Sequence, residues 1–242
     1  MKRIILLLIY IHLSIFFIHM NLTAQPLSGI TGLITIPTAK MSTDGKISFS
    51  VNFTDRKYNV RLPDKYHQYS YFFTLGYLPF AEVSLRLTHH YKYPKEQALG
   101  DRSPSVKIRL LKENKYHPAI ALGIQDFLGE CRHFNALYAV ASKTLALKIK
   151  SFSFQTEFHL GYGTDKIDAR HHQFAGIFGG LSVEFFDIIS LMAEYDSEKF
   201  NGGIGFDLFN HIQVLFALLH FDSFSCGASF SLTLPNEIKK RF

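Results

Sequence analysis

From Lys46 onward, apolar and polar residues alternate with a period of two, segment after segment. Ile47, Phe49, Val51 and Phe53 share one side of an extended chain, and Ser48, Ser50, Asn52 and Thr54 the other. The pattern returns over Tyr69–Tyr77, Val83–Thr88, Val106–Leu110, Phe152–Tyr162 and Phe224–Leu234. Successive strand side chains point to opposite faces, so each segment predicts a strand with one apolar and one polar or small face. Further strands are predicted near 118–127, 134–144, 174–186, 188–196, 202–209 and 211–221, the second and last of these alternating poorly. About twelve strands with no helical period between them predict an all-β fold, an antiparallel up-and-down transmembrane β-barrel.

The connections add a second signal. Outer-membrane barrels alternate short periplasmic turns with longer external loops. Long gaps at 55–68, 89–104 and 163–173 alternate with short ones at Leu78–Phe80, Glu113-Asn114, Phe186-Asp187 and Asn210-His211. The apolar stretch 145–151 fits this scheme less well as a connection. A soluble sandwich would share the alternation, but 24 Phe and 12 Tyr would overfill a single core. Tyr69, Tyr77, Tyr91, Tyr162 and Tyr195 fall at strand ends, where an interfacial aromatic girdle sits.

Lys2 and Arg3, the apolar run Ile4–Ile18 and Leu22-Thr23-Ala24 read as a secretory signal peptide over 1–24, with an uncleaved anchor helix as the alternative. Residues 25–44 then form an extended N-terminal segment, 45–234 the barrel and 235–242 a periplasmic tail. Loss of Lys2 and Arg3 lowers the net charge from +6 to +4, too modest and scattered for a nucleic-acid partner. Two cysteines, Cys131 and Cys226, exclude a disulfide scaffold and a four-Cys zinc site. Separated in strand order, they are expected as two unpaired thiols.

The polar residues expected to face inward include Arg86, Lys107, Arg109, Gln155, Glu157, His159, Glu184, Glu194 and Asp196, with Asp126 at a strand end. A lumen holding both signs admits two readings: mutual pairing that fills it, or a hydrated path whose hydrogen-bonding groups suit a sugar chain. His89-His90 and His171-His172 sit in predicted loops, and neighbours on an extended chain point apart, so neither pair is expected to chelate a metal. A barrel lipid hydrolase needs a Ser and a His together on the outer face. His159 has no such partner in a distinctive motif, and no GxSxG, HExxH or phosphate loop occurs. No catalytic, metal-binding or cofactor-binding residue is expected.

The segment Gly29-Ile30-Thr31-Gly32-Leu33-Ile34-Thr35-Ile36-Pro37-Thr38-Ala39-Lys40-Met41, followed by Asp44-Gly45, resembles the opening signature of the YjbH family. Pro118–Gly129 with Tyr138–Lys143, and Met192–Asp196 leading into Phe200–Ile204, match that family in order and spacing. Many members are far longer, with what look like duplicated barrel regions, whereas this chain holds one region. The resemblance implies an outer-membrane barrel linked to exopolysaccharide production or secretion. Its partners would be outer-membrane lipid, a polysaccharide and periplasmic export or assembly proteins. It implies no catalytic residues. Read from the residues alone, Gly29, Gly32 and Pro37 punctuate an extended stretch placed to tuck against or into the barrel.

Overall fold

A computed structural model describes residues 26–58, 66–91, 102–129, 134–149, 152–166, 173–209 and 211–234. The expected signal peptide and tail, Cys131 and His171-His172 lie outside these residues. The described residues form twelve strands: β1 (Lys46–Thr54), β2 (Gln68–Gly76), β3 (Ala81–His90), β4 (Arg102–Leu111), β5 (Ala119–Gln125), β6 (Ala136–Ile149), β7 (Phe152–Thr164), β8 (Gly176–Phe185), β9 (Ile189–Tyr195), β10 (Phe200–Leu208), β11 (Ile212–Leu219) and β12 (Ser223–Thr233). Each pairs antiparallel with its sequence neighbours, and β1 pairs with β12 from Lys46↔Thr233 to Thr54↔Ser225, closing the barrel. Full closure leaves no unpaired sheet edge, which is what a hydrocarbon surround demands of a sheet.

Alternation assigns the two faces. Phe49, Phe73, Leu85, Leu160, Phe216 and Phe230 stand exposed on the outside, while Ser48, Thr74, Ser84, Ser105 and Ser225 are buried inside. An apolar exterior over a polar lumen is the arrangement of a membrane-spanning barrel rather than a soluble one.

Two sequence expectations are corrected. The stretch 145–149 belongs to β6, whose ladder with β7 runs unbroken from Leu137↔Thr164 to Ile149↔Phe152. The poor alternation of Val140, Ala141 and Ser142 had hidden its continuity. His89-His90 is not in a loop: it ends β3, with His90 buried in the lumen and His89 on the opposite face.

Residues 26–45 lie inside the barrel as a plug. Leu27 N donates to Ile34 O (2.8 Å), Leu33 N to Ile36 O (3.0 Å) and Thr38 N to Thr31 O (3.2 Å), so the segment is a tight reversal. Its Ile30, Leu33, Ile34, Ile36, Ala39 and Met41 are all buried. Four of these pack on an apolar patch of the wall that includes Ala121, Tyr138, Phe178, Met192 and Leu215. Small residues at Ala119 and Ala121 keep this part of the wall thin, and Gly123 makes room for the Tyr138 ring, whose hydroxyl would stand 2.3 Å from a Cβ there. At roughly 1.5–3 kcal/mol per large aliphatic side chain buried, the packing is a major term in holding the segment. Gly29 is constrained twice: its φ is +81°, and a Cβ there would stand 2.0 Å from the Phe72 ring. The exit is fixed by Gly45, whose N–H donates to Gly76 O (2.8 Å) and whose carbonyl accepts from Leu234 N (3.0 Å).

Candidate functional site

Apolar packing fills the space, but polar contacts fix the register of the plug. Two wall carboxylates each grip several of its donors. Glu82, the second residue of β3, accepts from Thr31 N (2.6 Å), Thr31 Oγ1 (2.7 Å) and Ser42 N (3.0 Å), so it ties the start of the reversal to its exit. Lys107 Nζ on β4 stands 3.7 Å from Glu82 and donates to Thr31 O at 2.7 Å, with both side chains fully buried. Glu194, near the end of β9, accepts from Ile34 N (2.9 Å), Thr35 N (2.8 Å), Thr35 Oγ1 (2.5 Å) and Asn201 Nδ2 (3.0 Å). Buried carboxylates are tolerated only when such donors replace their water. Here the plug supplies three donors to Glu82 and four to Glu194, Ile36 N (3.4 Å) being the fourth.

Between these clamps lies a third set. Lys40 Nζ of the plug bonds the carboxylate of Glu157 on β7. Ala39 N donates to Ser142 Oγ (2.8 Å), which shares a hydrogen bond with His159 Nδ1 (2.8 Å). His159 and Ser142 are thus buried against the plug inside the lumen, away from the outer face a lipid hydrolase would use. A cavity of about 30 Å³ adjoins them, lined among others by Lys40, Glu157, His159, Glu184 and Ser190. A second of about 20 Å³ shares Ser190 and Met192 with it and reaches Asp207 and Gln213. Each has room for a water or two at roughly 10–15 Å³ apiece.

The other end of the plug is capped. The short 3-10 turn Arg56–Tyr58 in the β1–β2 connection brings Tyr58 OH to Asp196 (3.4 Å) and into hydrogen-bond contact with Thr35. Asp196 also accepts from Asn201 Nδ2 (3.0 Å) and faces His220 Nε2 (3.3 Å), whose ring meets the Tyr58 ring edge-on at 4.9 Å. His220 has φ +54°. A non-glycine residue pays for that conformation, and here it aims the imidazole at Asp196. Burial, then the neighbouring Asp196 and Glu194, push the Tyr58 phenol well above its usual range, so it stays a neutral donor. Lys57 completes the cap with Asp222 (2.7 Å).

Of the residues picked from sequence, Lys107, Glu157, His159, Glu184, Glu194 and Asp196 surround the plug. Arg86 faces the lumen, lying over the Phe134 ring at 3.7 Å and donating to Ser70 Oγ at 3.4 Å. Arg109 donates to Pro79 O (2.7 Å) at a turn, and Gln155 is exposed near the start of β7. Asp126 is buried just after β5, and its carbonyl accepts from Asn135 Nδ2 (3.1 Å). Glu82, Lys40, Tyr58, Asn201 and His220 were missed. The parity of Glu82 with Ser84 and Arg86, and of Asn201 with Gly203, Gly205 and Asp207, would have placed both inside; the other three sit in segments without alternation. Among the described residues no three His, Cys, Asp or Glu side chains converge on a metal position.

A closed antiparallel barrel with an apolar exterior, its lumen occupied by its own N-terminal segment, defines a plugged barrel of the membrane-spanning type. Its own relatives specify it further. The chain belongs to the YjbH family, described as exopolysaccharide biosynthesis protein YbjH, which it matches over residues 25–204. It is 32% identical over 123 residues to the Escherichia coli (strain K12) uncharacterized lipoprotein YjbH, an alignment covering 48% of this chain and 16% of that protein. Among solved structures, the Acinetobacter baumannii outer membrane protein Omp33 aligns with 78% of this chain and 97% of its own, at 10% identity and TM-score 0.44.

Proposed function

We propose that the protein is a non-catalytic outer-membrane accessory of exopolysaccharide production or secretion, a conduit closed at rest by residues 26–45. One observation carries this reading. The register of the plug is set by hydrogen bonds and one ion pair to the wall, the kinds of contact that a hydroxyl-rich polymer and water can replace. Family membership supports the link to exopolysaccharide, and the apolar exterior supports placement in the outer membrane, with lipid as the standing partner. A periplasmic export or assembly protein would engage the end where the plug leaves the barrel at Gly45.

The test has two arms. A strain lacking the protein should lose surface or released polysaccharide and regain it with the intact gene. In planar bilayers the intact barrel should be nearly silent, and a variant lacking residues 26–40 should conduct. Unchanged polysaccharide in the deletion strain would sink the reading. A silent truncated barrel that still migrates as a folded species would favour the alternative, a structural or adhesion barrel binding surface glycans, for which the closed lumen speaks.

A further inference from the structure

The positive charges of the barrel are segregated. Strands β7 to β12 contain no Lys or Arg, while β1, β3, β4 and β6 carry all those of the described wall. Yet β7 to β10 present Glu157, Glu184, Glu194 and Asp207 on their inner face. Glu157 therefore takes its cation from the plug, as Lys40. Glu184 lines the same cavity and has no ion-pair partner among the described residues. Two buried groups on that cavity also lack hydrogen-bond partners: His159 Nε2, 3.8 Å from Glu157, and Thr38 Oγ1, their residues only 5% and 2% exposed.

We infer that this side of the lumen is a binding site for a sugar bearing a free ammonium group, and that Lys40 of the plug holds the place of that ammonium. The inference rests on the conduit reading above and names the class of polymer it would take. Anything that displaces Lys40 leaves Glu157 buried and unpaired unless it brings a positive charge of its own. A neutral glycan fails that condition, and an acidic one sets a further negative charge against Glu157. A bare metal ion finds no converging ligand set among the described residues. The surroundings are those of a sugar site: Ser190, Gln213 and Ser229 offer hydroxyl and amide partners, with Met192 and Leu215 as an apolar floor.

The experiment is isothermal titration of the full barrel in detergent. The probes are a glucosamine tetramer and the same tetramer fully N-acetylated, at mildly acidic pH where the free amines are protonated. The amine form should bind at least about tenfold tighter, and Lys40→Ala, which vacates the site, should raise its affinity by about a further tenfold. Glu157→Gln should erase the preference. If that single variant does not give a folded, heat-modifiable band, Lys40→Ala with Glu157→Gln, which removes both charges together, should do so and show no preference. Equal affinity for the two tetramers, or no tightening in Lys40→Ala, overturns the inference. Loss of polysaccharide in the deletion strain without amine preference would remove this inference and leave the conduit. Amine preference with unchanged polysaccharide would remove the conduit and leave the site.

Discussion

Glu82 and Glu194 do the same job with different means. Each grips several donors of the plug, but Glu82 is accompanied by the fully buried Lys107, whereas the groups that hydrogen-bond Glu194 are all neutral. The first clamp is welded into the wall through β3 and β4. The second depends on the plug and on Asn201, and it touches the cap through Thr35 and Tyr58. A charge paired within the barrel should resist change and punish its removal. A charge satisfied only by neutral donors should let go more readily, which makes the Glu194 side the place where the plug loosens first.

The largest effect is therefore expected at Glu82. Glu82→Gln leaves Lys107 buried without its counter-ion, a loss of about 3–5 kcal/mol for a broken buried pair. The folded band on unheated gels should disappear at a much lower temperature than in the parent. Lys107→Met added to Glu82→Gln should recover most of that loss, since removing both charges is far cheaper than stranding one. No recovery would mean that Thr31 and Ser42, not Lys107, set the cost.

Glu194→Gln strands no cation. It weakens charge-assisted hydrogen bonds to Ile34, Thr35 and Asn201, a loss of about 1.5–3 kcal/mol. Barrel melting on gels should shift little, but planar-bilayer records should show brief openings that the parent lacks. If Glu194→Gln melts the barrel as severely as Glu82→Gln does, the contrast drawn between the two clamps is wrong.

Most of the barrel was legible because two different solvents write it. Lipid outside and hydrogen-bonding groups inside demand opposite residues at successive positions, and that demand is visible from Ile47 to Thr54 and from Phe152 to Tyr162. The plug escapes such reading because it is surrounded by wall on every side. Ile30, Thr31, Leu33, Ile34 and Thr35 are all buried, so no period separates inside from outside. Glu82 was lost to a boundary, the first strand residues being the least certain in any periodic reading. Tyr58 follows Arg56 and Lys57 in a charged connection, and only the fold shows that it turns back over the lumen.

The cap should respond to less drastic changes. Tyr58→Phe removes a 3.4 Å hydrogen bond to Asp196 and the contact with Thr35 while keeping the ring against His220. The expected loss is about 0.5–1.5 kcal/mol, seen as longer openings in the Glu194→Gln background. Because burial raises the folded phenol above its unfolded value of about 10, its contribution is complete below that value. It is lost as pH rises through the folded value, so alkaline conditions should lengthen openings in Glu194→Gln but not in Glu194→Gln combined with Tyr58→Phe.

The smallest effect belongs to the outermost contact. Lys57 hydrogen-bonds Asp222 and holds its carboxyl below the ordinary value, so the pair contributes above the unfolded pKa and fades as pH falls through the folded one. Both side chains are well exposed, and solvent and salt screen such a pair until little remains. Lys57→Ala should leave melting and conductance unchanged at physiological salt and at mildly acidic pH alike. A clear gain in openings, strongest at low ionic strength, would show instead that the cap is held from its rim, and that the Tyr58–Asp196–His220 cluster follows the loop rather than anchoring it.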